Sequence, residues 1–391
     1  MSGLHENFKI SGTNLLHYLV LRSNEIRDLQ EYLHQQGLSS LTNLESHTLY
    51  QVHNVLRWLQ GSVKTKAQKF TCDFETASRL QEMHTAHLLG EFPHRDRPHI
   101  MVTFSTEMIN DRKLIEEMLL EGMSVARINC AHDDPAVWTK MIQVLRQAVA
   151  KSGKSCKIYM DIAGPKIRIK SIHASKAKHN EALPVTEGKE LILTGGEKSL
   201  EKLNRGSKKQ RDIITIQPKE LITMMKVGER IFFDDGKFEA QVIKEKEDHV
   251  IVRIVRISAK NHELKPGRGI NLPDSDLNIP TLTDEDKINL PFICQHADMI
   301  GYSFVSNAED VDLLRAEINK HNHKPAIILK IERLSAVQHL PDLLLSGMKD
   351  AAMGVMIARG DLAVEIGFER LSEIQQEILW ICEAAHVPVI W

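Results

Sequence analysis

HIMVTFSTEMINDRKLIEEMLLEGMSVARINCAHDDP, residues 99–135, holds a strand, a helix, a second strand and the opening of a second helix. HIMVTF is a short apolar run of the kind that forms a buried strand, and DRKLIEEMLLEG reads as a helix stopped at Gly122. MSVARIN follows as the next strand. Asp134 and Pro135 then mark a helix start, a side-chain cap followed by proline in the first turn. The helix they open places Trp138, Met141, Ile142, Leu145 and Val149 on one face. CKIYMDI, from Cys156, supplies a third strand. Apolar strands alternating with amphipathic helices imply parallel strands covered on both faces.

Downstream the alternation stops. Residues 170–273 are richer in charge and glycine and contain the strand candidates ELILTG, RIFFDDG, AQVIKE and HVIVRIVRI, which together predict a small β-rich inserted domain. LPDSDLNIPTLTDEDK returns the chain to strand–helix units, with strands ADMIGYSF, PAIILKI, AAMGVMIA and VPVIW over residues 274–391. With residues 96–169, that gives three strands before the insertion and four after it. Seven such strands fit either a (β/α)8 barrel one strand short or an open doubly wound sheet. Upstream, residues 1–95 read as a helical extension. Leu15, Leu16, Leu19, Ile26, Leu29 and Leu33 repeat near 3.6 residues up to Gly37, and Val52, Val55, Leu56 and Leu59 do so up to Gly61. This region shows no catalytic pattern and reads as a packing or docking module.

Composition narrows the function. The chain has 391 residues, 42% hydrophobic and 26% charged, and 50 basic against 52 acidic side chains leave a formal charge of -2. That balance gives no general pull toward nucleic acid or an anionic membrane. No apolar run approaches the roughly 20 residues of a membrane span, and the first residues lack the pattern of a secretory signal. Cys72, Cys130, Cys156, Cys294 and Cys382 are scattered and odd in number, which favours free thiols in a reducing cytoplasm. KSGKS at 151–155 lacks the upstream glycine of a phosphate loop and precedes its strand, so it reads as a helix stop. The histidines at 84, 87, 94, 99, 321 and 323 have no supporting carboxylate or cysteine spacing for a metal.

Four segments lie at carboxyl ends of expected strands, the active-site face of such folds. ARINCAHD offers Arg127, Asn129 and His132; MDIAGPKIR offers Asp161, Lys166 and Arg168. LKIER places Lys330 and Glu332 two apart on one strand face, and MIARGDLAVE places Asp361 just past a strand end. Basic groups and carboxylates converging on one face suit a polyanion held with a divalent metal.

These residues carry a resemblance. ARINCAHD resembles the A-R-L-N-F-S-H-G segment of pyruvate kinase, and MDIAGPKIR its D-x-x-G-P-x-I-R. DDGKFEAQ, GRGINLP and LTDEDK resemble the lid domain and its return; SFVSNAEDV, LKIER and GVMIARGDLAVE match later barrel strands in order, from about Arg97 to Trp391. The resemblance implies an α/β fold, a (β/α)8 TIM-type barrel interrupted by a lid after its third strand, here incomplete at seven strands. It implies a magnesium- or manganese-dependent cytoplasmic transferase of glycolysis that moves the phosphoryl group of phosphoenolpyruvate to ADP. By the same resemblance Glu332 and Asp361 would hold the metal, and Lys330 would stabilise the transferring phosphoryl and the enolate. Arg127 would grip the phosphoryl group and backbone N–H groups around Gly360 the substrate carboxylate. Asn129, His132, Arg168 and Arg268 would face the nucleotide. A homo-oligomer is compatible with it; nucleic acid and membrane partners are not expected.

Departures from the family pattern carry their own expectations. The family's potassium site uses an asparagine, a serine, an aspartate and a threonine; here Asn129 and Asp161 remain, but Ala131 and Ile162 replace the hydroxyls. Lys166 stands where the family has glutamate, so its ammonium is expected to replace K+ and activity to need none. Phe104-Ser105-Thr106 replaces I-G-P, and Ala363 replaces a glycine. The family continues past Trp391 into an eighth strand and a C-terminal domain, so the expectation is a chain recorded incompletely, with a truncated, inactive remnant that binds phosphoenolpyruvate or a partner as the rival. A metal-dependent lyase is a third option, disfavoured because carbon–carbon cleavage needs no nucleotide site.

Overall fold

The computed structural model describes residues 3–61, 71–91, 97–174, 182–196, 212–275 and 279–391. Four helices come first: α1 (Lys9–Arg22), α2 (Arg27–Gln35), α3 (Thr48–Leu59) and α4 (Phe74–Leu89). Then β1 (Ile100–Thr103), α5 (Arg112–Leu120), β2 (Met123–Asn129), α6 (Pro135–Ser152) and β3 (Lys157–Asp161) follow the strand–helix alternation expected from residues 99–135. The insertion contributes β4 (Arg168–His173), β5 (Leu183–Pro184), β6 (Glu190–Thr194), β7 (Asp212–Gln217), β8 (Arg230–Phe233) and β9 (Phe238–Glu245), then β10 (His249–Ile257), β11 (Glu263–Leu264) and β12 (Ile270–Asn271). After it come α7 (Asp284–His296), β13 (Met299–Tyr302), α8 (Ala308–Ile318), β14 (Ala326–Ile331), α9 (Leu334–Gln338) and α10 (Leu340–Gly347). β15 (Met353–Ile357), α11 (Arg359–Ile366), α12 (Leu371–Ala384) and β16 (Val389–Ile390) complete the order.

Two sheets result. The first runs β1-β2-β3-β13-β14-β15-β16, with every pairing parallel. Its order never reverses, so it has no switch point of the kind that defines a doubly wound sheet. It is an incomplete barrel of seven strands, with β1 and β16 as its edges. The second sheet, β12-β8-β9-β10-β6-β7-β4, belongs to the insertion and packs its own apolar core around Ile214, Phe233, Phe238 and Val252. Its strands are paired antiparallel except β6 with β7.

Alternation sorts the barrel side chains. Val125, Tyr159, Met299, Ile328 and Met356 form one interior cluster, while the opposite faces of the strands join the main core with Trp138, Ile142 and Ile115 from the surrounding helices. The interior cluster is completed from outside the alternating region by Leu88 and Leu89, at the end of α4. Gly354 makes room for this contact: a Cβ there would lie 2.6 Å from Leu88 Cδ2. Leu88→Ala is therefore expected to destabilise the chain by about 3 kcal/mol through a cavity that strand backbones cannot collapse to fill. Urea unfolding checks this, with exposed Leu56→Ala as the near-neutral control.

The N-terminal region departs from its sequence reading at one point. The periodic run from Leu15 to Leu33 is two helices, broken after Arg22. Ser23 Oγ and Asn24 Nδ2 both donate to the Val20 carbonyl, at 2.8 and 2.6 Å, competing with the helical ladder. Glu25 then accepts the Arg27 N–H to start the next helix. Docking onto the barrel uses α12: buried Asn14 donates to the Ala384 and Glu45 carbonyls and accepts from the Thr48 N–H.

Candidate active site

Parallel pairing brings three strand ends into register. Asn129 of β2 lies opposite Asp161 of β3, and Gly301 of β13 lies opposite Asp161 on its other side. Gly301 has to be glycine, because a Cβ there would collide with the Tyr159 hydroxyl and Asp161 Oδ1. Space freed in this way lets a string of charges form inside the barrel. Arg127 Nε donates to Asp161 Oδ2 at 2.6 Å, and its Nη1 donates to Thr103 Oγ1 of β1 at 3.0 Å. Lys330 Nζ lies 3.6 Å from Asp161 Oδ1 and 2.7 Å from Glu332 Oε1. It also donates to Ser303 Oγ at 2.8 Å, and Glu332 Oε2 accepts the Phe304 N–H at 2.8 Å.

This string is dry. Asp161 is 0% exposed, Glu332 2% and Lys330 7%. Buried charges persist only when paired and hydrogen-bonded. Burial pushes the Glu332 carboxyl above the usual range; Lys330 opposes that rise and the negative charge of Asp361 adds to it. For Lys330, burial works against the charge, but Glu332 and Asp161 prevail and hold its ammonium above the ordinary lysine value.

Asp361 occupies the first turn of α11, whose N-cap residue Ala358 makes no side-chain cap. The neighbouring Gly360 is exposed, with open space where a side chain would stand. Lys166 Nζ lies 3.3 Å from Asp361 Oδ1 and 3.5 Å from Asp235 Oδ1 of the insertion. Arg268 Nη1 is 3.3 Å from Asp234 Oδ1, and Arg168 Nη1 donates to the Gly267 carbonyl at 3.0 Å. Both arginines therefore pair within the insertion, and among the described residues neither pairs with the buried string of charges. Asn129 turns inward on its own loop, accepting the Ala131 N–H at 3.1 Å. His132 is on the exposed loop after β2, where its carbonyl accepts from Trp138 Nε1.

Residues 96–391 match the family described as pyruvate kinase, barrel domain. The chain belongs to the pyruvate kinase family. Among its relatives are the pyruvate kinases of Geobacillus stearothermophilus, 32% identical over 71% of this chain and 44% of the relative, and of Thermotoga maritima, 30% identical over 71% and 55%. That of Dictyostelium discoideum is 28% identical over 75% of this chain and 54% of its own. The chain thus spans about half the length of the curated relatives it matches.

A pyruvate kinase barrel implies a divalent metal, and the donors present fit one. Glu332 and Asp361 would offer it hard carboxylate oxygens; burial, and after it the charge of Asp361, raises the Glu332 pKa. Magnesium accepts one or two protein carboxylates and completes its shell with water and substrate oxygens. No group of three His, Cys, Asp or Glu side chains gathers among the described residues, so a metal here would have at most two carboxylates from this chain.

Sequence reading passed over Thr103, Ser303, Arg333 and Glu365. Ser303 was inside a quoted motif, and its position after a strand end was the available signal. Glu365 lies one turn beyond Asp361, where burial pushes its carboxyl up to about 7 against the pull of Arg333. Arg333 follows Glu332 directly and stacks 5.1 Å over the Phe304 ring.

Proposed function

We propose that this chain transfers the phosphoryl group of phosphoenolpyruvate to ADP, giving pyruvate and ATP in the cytoplasm. The observation that carries the reading is the buried string Arg127–Asp161–Lys330–Glu332, facing Asp361 across one barrel mouth. Phosphoryl transfer asks mainly for positioned charge. Arg127, fixed by Asp161 and Thr103, grips the phosphoryl group; Lys330, fixed by Glu332 and Ser303, offsets the charge that shifts onto the enolate oxygen. Backbone N–H groups around Gly360 bind the substrate carboxylate. Asn129, His132, Arg168 and Arg268 line the nucleotide side, and closure of the insertion over them excludes water and so favours ADP over hydrolysis. Glu332 and Asp361 would hold Mg2+ or Mn2+, which supplies positive charge to the phosphoryl and enol oxygens.

A lactate-dehydrogenase-coupled assay with phosphoenolpyruvate, ADP and Mg2+ tests this directly. Pyruvate formation that disappears with Asp361→Asn supports the transferase. Metal-dependent binding of phosphoenolpyruvate without turnover supports the rival reading of a binding protein.

Potassium is not needed in this reading. Asp161 already has both oxygens facing cations, Asn129 Oδ1 is taken by its own loop, and the Ala131 and Ile162 side chains offer no oxygen. Lys166 supplies the positive charge instead. Rates in K+ and in tetramethylammonium are expected to agree within about twofold, since a fixed ammonium is not exchanged with the medium. A many-fold rise on adding K+ overturns the assignment.

A further inference from the structure

Lys166 has two acidic partners that belong to different parts of the molecule. Asp361 sits on α11 of the barrel, and Asp235 sits in the turn between β8 and β9 of the insertion. The Lys166 and Asp361 side chains are 25% and 26% exposed, whereas Asp235 is 58% exposed. The turn is braced from its own side, because the neighbouring Asp234 is held by Lys237 at 3.1 Å and Arg268 at 3.3 Å. Asp235 is left to reach across to the barrel.

We propose that Lys166 is a shared latch: one ammonium bridges the insertion and Asp361, so that occupancy of Asp361 by a dication is coupled to the hold on the insertion. The inference rests on reading Asp361 as a metal carboxylate. A dication beside Asp361 repels the ammonium, which then gives itself wholly to Asp235 and tightens the insertion against the barrel. Linkage makes the effect reciprocal: whatever draws Lys166 toward Asp235 favours the dication, and whatever releases it from Asp235 makes it a stronger competitor at Asp361. In this role Lys166 is a positioning residue. Its observed partners are the two carboxylates, and it acts through which of them it pairs with.

Manganese titration of the whole chain, followed by electron paramagnetic resonance in tetramethylammonium buffer, gives the coupling a sign that simple damage does not. Lys166→Met removes the competitor and is expected to bind Mn2+ about five- to tenfold more tightly, the scale of a partly screened charge at contact distance. Asp235→Asn frees the ammonium for Asp361 and is expected to weaken Mn2+ about two- to threefold. The double variant should match Lys166→Met, because Asp235 acts only through the lysine. Lys166→Arg keeps the charge and should stay near wild type. Hydrogen exchange adds a second readout: Mn2+ should slow the amides of Asp234 to Lys237 in the wild type and leave them unchanged in Lys166→Met. Unchanged or weaker Mn2+ binding in Lys166→Met overturns the latch, as does an Asp235→Asn effect that persists without the lysine. If the wild type shows no Mn2+ binding that Asp361→Asn removes, the metal reading itself fails, a result distinct from a metal that binds and ignores Lys166.

Discussion

Lys330→Met is expected to lower kcat by about a thousandfold or more, the cost of removing a preorganised charge from a dry site. Methionine preserves much of the length and volume of the lysine stem, so the change removes charge more than packing. What it leaves behind is asymmetric. Asp161 keeps Arg127, but Glu332 loses the ammonium it pairs with at 2.7 Å, keeping the Phe304 N–H and the more distant charges of Arg127 and Arg333. With burial and Asp361 already pushing the Glu332 pKa up, loss of Lys330 drives it further in the same direction. The folded protein should lose about 3 kcal/mol, as when one partner of a buried pair is deleted. A dication supplies part of the missing charge, so metal-dependent binding of phosphoenolpyruvate should survive while turnover does not. Lys330→Arg separates charge from fit: the larger guanidinium cannot keep the 2.7 and 2.8 Å contacts to Glu332 and Ser303, and it should also be inactive. Wild-type turnover in Lys330→Met, measured by the coupled assay, would remove Lys330 from the chemistry.

What makes Lys330 and Glu332 readable in the sequence is locality. Two residues apart on one strand, they had to share a face, and the preceding apolar run fixed the strand. The same reasoning placed Asp161 and Arg127 at strand ends. It stopped where contacts become long-range: Lys166 and Asp361 are 195 positions apart, and no spacing rule joins them. The choice between barrel and open sheet was closed to pattern reading for a related reason. Both folds need the same buried parallel strands, and only the order of the seven strands tells them apart. In the insertion, Asp212–Gln217 and Arg168–His173 escaped notice although they pair with each other. The first offered a readable signal in β-branched Ile213 to Ile216 ended by Pro218, whereas the second breaks its apolar positions with Lys170 and Ser171. Helix α4 was placed within a helical region, yet amphipathicity does not say which surface a helix meets. That Leu88 and Leu89 enter the barrel interior depends on the absence of a side chain at Gly354, more than 260 residues later.

Acid should release the N-terminal helices from the barrel before the barrel itself opens. The junction is held by His386, which is 0% exposed and sits between α12 and β16 with a positive φ of 49°. Its Nε2 donates to the Ser46 carbonyl at 2.7 Å, and its Nδ1 faces Ser11 Oγ at 3.0 Å. Cys72 Sγ lies 3.9 Å from the same ring, its thiol pushed by burial up to about 11, so it brings no charge. Burial lowers the His386 pKa from 6.5 to about 4, helped by His84 and His47, whose own values burial also lowers. A histidine depressed in the folded state is protonated more readily once exposed. Its stabilisation is therefore complete above pH 6.5 and is lost as pH falls from there toward 4. For His386 the span corresponds to roughly 3 kcal/mol, with smaller losses from its two neighbours. Glu383 of α12 runs the other way, because burial and Glu45 raise its pKa and protonation then favours the folded form. His386→Asn isolates the histidine: asparagine tolerates the left-handed backbone and titrates nowhere in the window. Urea midpoints measured from pH 7 to pH 4.5 should fall steeply in the wild type, with amide hydrogen exchange in α1 and α3 accelerating before that of the barrel strands. In His386→Asn the slope should flatten by more than half, the share of the junction's proton uptake assigned to that one ring. An equal slope in both proteins would mean that acid acts elsewhere.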